Sequence, residues 1–555
     1  MEGRLLPLIE VARSEMDGIP VFAIDGPRPF TAQIVFRVGY YDEHLRNRGI
    51  THLVEHLALY GLRDSEIAFN GTVSSHLTTF IAQGHPDEVG AFLRSVCGLI
   101  HDLPYDRLGL EADVLRREGA PRSFSFVEMI IWAYFGSRGP GVSGFPEFGL
   151  GWLSPDDIEA WAKRYFNKRN AAIVIVGDVP DSFGIELPDG DAEHYVAPAR
   201  TKPAPESATL YETQEHGVTW ATLIKNRKGR PEPAFFVGLD IVSRRLESRL
   251  RHDLGQTYSV PFDWHRIDAD HIVATHGFDC EPTRSRDAGL EHLKVMREFM
   301  ETGPTQAELD RALRVQVKMY QDHPLEAAQH RLFDEAETHL AGWGSTISID
   351  EYRRQMERLT PDEIAERFRE AYRQSFTIAD LPRREFAERL SMIDFGQPPF
   401  EGVQFVSKRS HRRDQARLVR IGPEGVSALF AEGWLNTPLD QIALVIADDE
   451  SVRVLGDWST MRFEADKYAP GSPLRKRPVR LGLGVLLLLA GALVGVAAKA
   501  ALAALVLLMI ASMLITSDFG DEYEKTAISD RRLSMQDAVR RYVPPDQVLP
   551  APRSE

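Results

Sequence analysis

The chain has 555 residues, 43% of them apolar, and a formal net charge of −16. That length exceeds what one hydrophobic core supports and implies three or four domains, while the acidic balance, with no basic run interleaved with aromatics, excludes a general nucleic-acid binder. The only cysteines are Cys97 and Cys280, which excludes a disulfide framework or a zinc knuckle; both lie in apolar surroundings and read as buried, reduced small hydrophobes.

The first segment, Met1 to Glu10, has too short an apolar run for a signal peptide and is interrupted by Pro7, so the soluble part is expected on the cytoplasmic side. His52-Leu-Val-Glu-His56 follows. On a helix, positions four apart share a face, so His52 and His56 can offer two imidazole nitrogens to one metal ion. Glu55 lies beside them, where a carboxylate can take a proton from a water on that metal. The pentapeptide is the inverted zinc-protease motif, H-x-x-E-H; an ordinary helix with two histidines is the alternative. Downstream, Glu111 and Glu118 stand seven apart on one face of a predicted helix. Zinc hydrolases use three protein ligands, and two histidines with a glutamate are a known set. Glu118 is then the ligand and Glu111, two turns earlier, a group that orients a ligand or balances charge. Alone, the interleaved Asp113, Arg116 and Arg117 suit a solvated helix face equally well.

Together these segments resemble the insulinase-like (pitrilysin, M16) metallopeptidases, which pair H-x-x-E-H with a later E-x6-E. Gly49-Ile50-Thr51 is similar to that family's approach to its zinc helix. The resemblance implies one Zn2+ per chain on His52, His56 and Glu118, with Glu55 as general base. The 62 residues from His56 to Glu118 are fewer than is usual in the family and imply a trimmed connection. At Asn70-Gly71-Thr72-Val73-Ser74-Ser75 the family carries Gly-Gly and then Asn-Ala, on the strand that pairs with bound peptide. Ser74 and Ser75 stand in for Asn and Ala, and backbone pairing does not depend on the side chain. A peptide substrate is therefore expected as an added strand near Gly71 to Thr79.

Leu153-Ser-Pro-Asp-Asp-Ile158 is a helix-start signal, with Ser154, Pro155 and Asp157 in capping positions. It precedes an aromatic helix and the β-run Ala171 to Val176, closing in Gly-Asp. The signal recurs at Leu359-Thr-Pro-Asp-Glu-Ile364, displaced by 206 residues, which suggests a duplicated domain. The second copy lacks H-x-x-E-H. After the apolar run Pro233 to Val242 it has Arg251 and Tyr258, seven apart in a stretch ending Tyr-Ser-Val, which resembles the family's Arg and Tyr pair. The resemblance implies that these two donate hydrogen bonds to the substrate backbone and its developing oxyanion from across a chamber. In that family the zinc domain of one half faces the Arg-Tyr domain of another, so a homodimer, or a heterodimer with a second M16 half, is implied.

The expected fold class is α+β: two homologous insulinase-type α/β sandwich domains, then a small β-rich domain and a transmembrane segment. The domain limits are 1–195 for the zinc domain, 200–395 for the Arg/Tyr domain and 400–470 for the β-rich piece, which shows short β-runs and turn signals and resembles pleckstrin-homology-like domains. From Leu481 to Ile515 the chain is apolar except for Lys499. One straight helix of that length would measure about 52 Å against a hydrocarbon core of about 30 Å. Two spans, near 481–498 and 500–516 with Lys499 at the turn, fit better; one span with a helical extension is the alternative. Arg475, Lys476, Arg477 and Arg480 place the entry side in the cytoplasm, and 518–555 reads as a partly disordered cytoplasmic tail. The expectation is a membrane-anchored zinc endopeptidase. A catalytically inactive scaffold is the alternative, because some members of the family have lost zinc.

Overall fold

The computed structural model describes residues 10–26, 28–62, 66–119, 126–179, 183–196, 209–212, 217–225, 233–344, 349–381, 388–389, 397–408, 416–431, 433–457, 459–464, 467–470, 527–528 and 534–550. They fall into two compact units, divided between Ser391 and Met392.

The first repeat contains β1 (Ala12–Met16), β2 (Ile19–Ile24), β3 (Phe30–Phe36), α1 (Ile50–Tyr60), β4 (Ala68–Val73), β5 (Thr78–Gly84), α2 (Pro86–Ile100), α3 (Leu108–Gly119), α4 (Phe126–Phe135), α5 (Pro155–Tyr165) and β6 (Ala171–Val176). Its sheet runs β1-β2-β6-β3-β5-β4. The second repeat contains β7 (Thr209–Glu212), β8 (Val218–Lys225), α6 (Pro233–Glu247), β9 (Phe262–Arg266), β10 (His271–Phe278), α7 (Ser285–Thr302), α8 (Gln306–Asp322), α9 (Pro324–Leu340), α10 (Ile349–Arg358), α11 (Pro361–Arg373), β11 (Ser375–Ala379) and β12 (Glu388–Arg389). Its sheet runs β12-β7-β11-β8-β10-β9. Five consecutive positions match strand for strand, and the parallel pair β2·β6 has its counterpart in β7·β11. The two helix-start signals open the matching helices. Ser154 Oγ accepts from Asp157 N at 3.3 Å and Thr360 Oγ1 from Glu363 N at 3.2 Å, with proline in the first turn of each.

β6 reads Ala-Ala-Ile-Val-Ile-Val without polar alternation and is buried along its whole length, as a strand covered on both faces must be. One face packs on α1, α2 and α5 in the core of the first repeat. The opposite face, through Phe22, Val35 and Val174, meets Ala328, Leu332, Ala336 and Leu340 of α9, which belongs to the second repeat. The exchange is reciprocal: Ile130, Ile131 and Tyr134 of α4 cover Ala221, Leu223, Val273 and Ile378 of the second sheet. Each sheet thus borrows its second cover from the other repeat. Cys97 is buried and Cys280 only half-buried, both as free thiols.

The second unit has the sheet β16-β15-β14-β13-β20, built from β13 (Gly402–Ser407), β14 (Leu418–Gly422), β15 (Gly425–Leu429), β16 (Trp434–Pro438) and β20 (Tyr468–Pro470). β17 (Ile442–Ala447), β18 (Ser451–Gly456) and β19 (Thr460–Glu464) form the other sheet with β22 (Val548–Leu549). Part of the stretch expected as a partly disordered tail is a helix. Ser534 caps a helix, α12 (Met535–Tyr542), whose Met535, Ala538 and Val539, with Val543 just beyond it, complete the core of this unit. Those residues recur at helical spacing, so the face they make is amphipathic and the adjacent arginines point outward. The unit therefore runs past 470 to include these residues. The apolar segment 481–516 lies outside the described residues, among which no helix is long and apolar enough to cross a membrane.

Leu332 is 0% exposed and Met535 3%, and truncating either leaves a cavity. Leu332→Ala and Met535→Ala are each expected to cost about 2–5 kcal/mol. Calorimetry should show the first lowering the transition of the paired repeats and the second that of the β-rich unit.

Candidate metal centre

Helix α1 exists because Ile50, Leu53, Val54, Leu57 and Ala58 form an apolar face against the first core, leaving His52 and His56 on the partly open side. Its start is fixed by Glu43, 0% exposed, whose carboxylate accepts from Gly49 N at 2.9 Å and Thr51 N at 3.0 Å, and from Arg48 Nη1 at 2.7 Å. An acidic group at a helix N-terminus satisfies amides that have no partner within the helix. Trp161 of α5 ties the same turn, donating from Nε1 to Thr51 Oγ1 at 3.2 Å.

The imidazole rings of His52 and His56 stand 4.9 Å apart and nearly perpendicular. Their Nε2 atoms lie 3.7 and 3.9 Å from the same oxygen, Glu55 Oε2. Their Nδ1 atoms turn away, to Glu147 Oε1 at 3.0 Å and Glu111 Oε2 at 3.4 Å. Glu118, near the end of α3, brings Oε2 to 3.6 Å from His56 Nε2. Among the described residues, His52, Glu55 and His56 are grouped closely enough to hold a metal ion. Zinc bonds of about 2.0–2.2 Å put tetrahedral donors about 3.3–3.6 Å apart; Glu118 Oε2 meets that spacing to His56 Nε2 but lies outside the close group of His52, Glu55 and His56. An imidazole that ligates through Nε2 must carry its proton on Nδ1, and both Nδ1 atoms face a carboxylate that accepts it. The residues fit zinc.

Burial pushes the Glu55 carboxyl up to about 7, against the pull of His52 and helped by Glu118. Burial acts to lower His52, but the hydrogen bond and charge of Glu147 outweigh it and the group ends above its ordinary value. His56 is lowered, by burial first and then by His52. Glu111 also accepts from Arg107 Nη2 at 3.2 Å, which offsets part of the charge.

Gly71 lies on β4 against Glu55: a Cβ there would fall 1.9 Å from Glu55 Oε1. Only glycine lets the strand run this close to the carboxylate. β4 is the last strand of its sheet, so Ala68–Val73 offers an unpaired edge among the described residues. The expected strand from Gly71 to Thr79 is narrower than that. Ser74 and Ser75 lie in the turn beyond β4, their carbonyls accepting from Tyr40 N and Tyr41 N at 3.0 Å each. Thr78 and Thr79 lie on β5, which is paired on both sides. Arg251 and Tyr258 sit together on the second repeat. After α6 the helix widens into a π-turn at Ser248–Asp253, where Arg251 Nη1 donates to Glu247 at 3.0 Å and its guanidinium lies 4.7 Å from the Tyr258 ring. Tyr258 is 81% exposed. Among the described residues neither makes a hydrogen bond or ion pair with His52, Glu55, His56 or Glu118. Sequence reasoning missed Glu43 and Glu147; the first stands a few residues before a helix, a weak signal, and the second has none.

Residues 153–315 match the family described as the peptidase M16 inactive domain; that stretch contains Arg251 and Tyr258 but none of the four metal-centre residues. No curated protein matches the chain in sequence. By structure the chain is similar to a protease from Helicobacter pylori, with 16% identity and a TM-score of 0.55, over 67% of this chain and 99% of that one. The first half of the periplasmic protease PqqL from Escherichia coli gives 14% identity and a TM-score of 0.53, over 69% and 94% of the two chains. The full PqqL is covered over 57% of its length, at 13% identity and a TM-score of 0.52. A chain of complex III2 from Candida albicans is also similar, at 14% identity and a TM-score of 0.53, over 67% and 96%.

Glu43→Gln removes the charge that pairs with the buried Arg48 and one acceptor at the start of α1. It is expected to cost about 3–5 kcal/mol, measurable by denaturant unfolding of the zinc-free protein.

Proposed function

We propose that this chain, whose residues 153–315 match the M16 family, is an insulinase-like, zinc-dependent endopeptidase of peptides or small proteins, held at a membrane and working as one half of a pair. The observation that carries the reading is the approach of His52 Nε2 and His56 Nε2 to one oxygen of the buried Glu55, with Glu118 Oε2 3.6 Å from His56 Nε2. Zinc held by His52, His56 and Glu118 would supply a Lewis acid for the scissile carbonyl and lower the pKa of a bound water. Glu55, beside the donor set and raised toward neutrality, takes the proton of the attacking water and returns it to the leaving amine. The peptide pairs with the edge of β4 through its backbone, passing Glu55 where Gly71 leaves room. Half-buried Arg251 and exposed Tyr258, on the repeat without ligands, donate to the oxyanion in a partner half. The coverage of PqqL, nearly all of its first half but 57% of the whole, supports a pairing of two halves, as a homodimer or with a second M16 half.

The membrane part of the proposal draws support from the second unit. β20 pairs with Phe405–Ser407 of β13, and a short strand, β21 (Ala527–Ile528), pairs with Gly402 and Val403 on the same strand. With α12 in the same core, both ends of the apolar segment start from one folded domain. A folded domain cannot be divided by a bilayer, so any crossing by 481–516 comes in pairs. Spans near 481–498 and 500–516 put Lys499 on the far side, and the arginine-rich entry keeps the domain in the cytoplasm.

The competing reading, a scaffold without catalysis, draws on the match to the inactive domain and the likeness to a complex III2 chain. Glu55→Gln separates the two. It is expected to keep about one zinc per chain while cleavage of a peptide library falls about 10²–10⁴-fold, and Glu118→Gln to lose the zinc itself. Wild type that binds zinc yet cleaves nothing would favour the scaffold. For topology, Lys499→Cys in a background with Cys97 and Cys280 replaced by serine should react with an impermeant thiol reagent only from the face opposite the β-rich unit. Labelling from the same face would sink the paired crossing.

A further inference from the structure

Between α4 and α5 the chain makes 3-10 turns at Gly139–Gly144 and then passes Glu147 in the left-handed region, at φ +56°. A non-glycine residue held there costs about 1–2 kcal/mol, and such strain persists where the surroundings select it. Glu147 is 6% exposed, and its Oε1 stands 3.0 Å from His52 Nδ1. Two glycines make its seat. A Cβ on Gly49, itself at φ +104° just before α1, would fall 2.5 Å from Glu147 Oε2. A Cβ on Gly119, the last residue of α3, would fall 3.2 Å from Glu147 Cγ. Gly149 N donates to Arg48 O at 2.7 Å, tying the loop to the segment that enters α1. The side chain is thus wedged between the start of the histidine helix and the end of the helix that carries Glu118.

We infer that Glu147 is a positioning residue for the metal centre. Its carboxylate accepts the Nδ1 proton of His52, fixes the tautomer that leaves Nε2 free, and sets the aim of the ring, while its backbone holds the two ligand-bearing helices at their spacing. The contact is shorter than the corresponding one from Glu111 to His56, 3.0 against 3.4 Å, and Glu111 is shared with Arg107. His52 is therefore the more firmly held ligand. This inference rests on the zinc reading of the site.

The test uses the full chain purified in detergent, with zinc affinity read by chelator competition and zinc-free thermal unfolding read beside it. Glu147→Gly removes the carboxylate and the left-handed strain together. Its zinc-free melting temperature is expected to equal or exceed wild type, while zinc binding weakens about 10- to 100-fold. Glu147→Gln keeps an oxygen for the Nδ1 proton and should recover most of that loss. Unchanged zinc affinity in Glu147→Gly overturns the inference and leaves the zinc site standing. A fall in both melting temperature and affinity, with Glu147→Gln no better, assigns the residue to packing and also overturns it. Wild type without affinity for zinc overturns both the inference and the reading beneath it.

Discussion

The candidate metal centre depends on where helix α1 begins, and that is set by the buried carboxylate of Glu43. It holds the amides of Gly49 and Thr51 and the guanidinium of Arg48 at once. Each helical residue turns the helix by about 100°, so a start displaced by one position would carry His52 and His56 off the open face and expose Leu53 or Leu57 in their place. The burial of Glu43 makes the choice all-or-none: removing Arg48 from its partner leaves a charge inside the protein, which costs far more than a surface pair gains. The N-terminal turn is fixed by electrostatics and the remainder of the helix by apolar packing. Neither would place two imidazoles against one carboxylate oxygen without the other.

The two repeats share a strand order and their helix-start signals but divide the candidate site residues between them. In the first repeat, the helix after the third strand of the shared order carries the donors. In the second, the matching helix α6 is apolar and widens into the π-turn that presents Arg251 beside Tyr258. Exchange of α4 and α9 binds the repeats together, since each covers the outer face of the other sheet. That exchange explains why β6 is apolar on both faces although it lies in a sheet with an open edge. It also leaves β4 as an edge strand whose glycine touches the catalytic candidate, so the open edge and the donor set share one corner of the fold.

The parts of this arrangement legible in the sequence are those governed by local geometry. His52, Glu55 and His56 are neighbours because of helical spacing, as are Glu111 and Glu118. Ser154 and Thr360 begin helices because a capping side chain bonds within three residues. Glu147 and Glu43 reach their partners through tertiary packing, with His52 and Glu147 95 positions apart, and no periodicity announces such a meeting. The helix Met535–Tyr542 was hidden differently: Arg540, Arg541 and the prolines after them dominate its composition, while the apolar face that decides its fate needs the β-rich core to be seen. Ser74 and Ser75 show the converse failure. Their place in a family pattern suggested a strand, but the turn from β4 to β5 had already engaged their carbonyls.

Charge weighs on whether such a corner serves a metal or only a shape. Glu55, Glu111 and Glu147 are nearly buried around two imidazoles, Glu118 approaches from solvent, and Arg107 is the basic group bonded to Glu111. Gathering carboxylates in a place of low polarity is unfavourable unless something positive compensates, and in its absence a group neutralises instead. The rise of Glu55 toward neutrality is that response. An apolar replacement of similar volume would pack as well without the desolvation cost. A divalent cation between the Nε2 atoms would offset the excess, hold Glu118 in place and draw Glu55 back toward the ionised form a general base needs. These carboxylates are the ones that a bound zinc would turn into its ligand, its base and the two groups that aim its histidines.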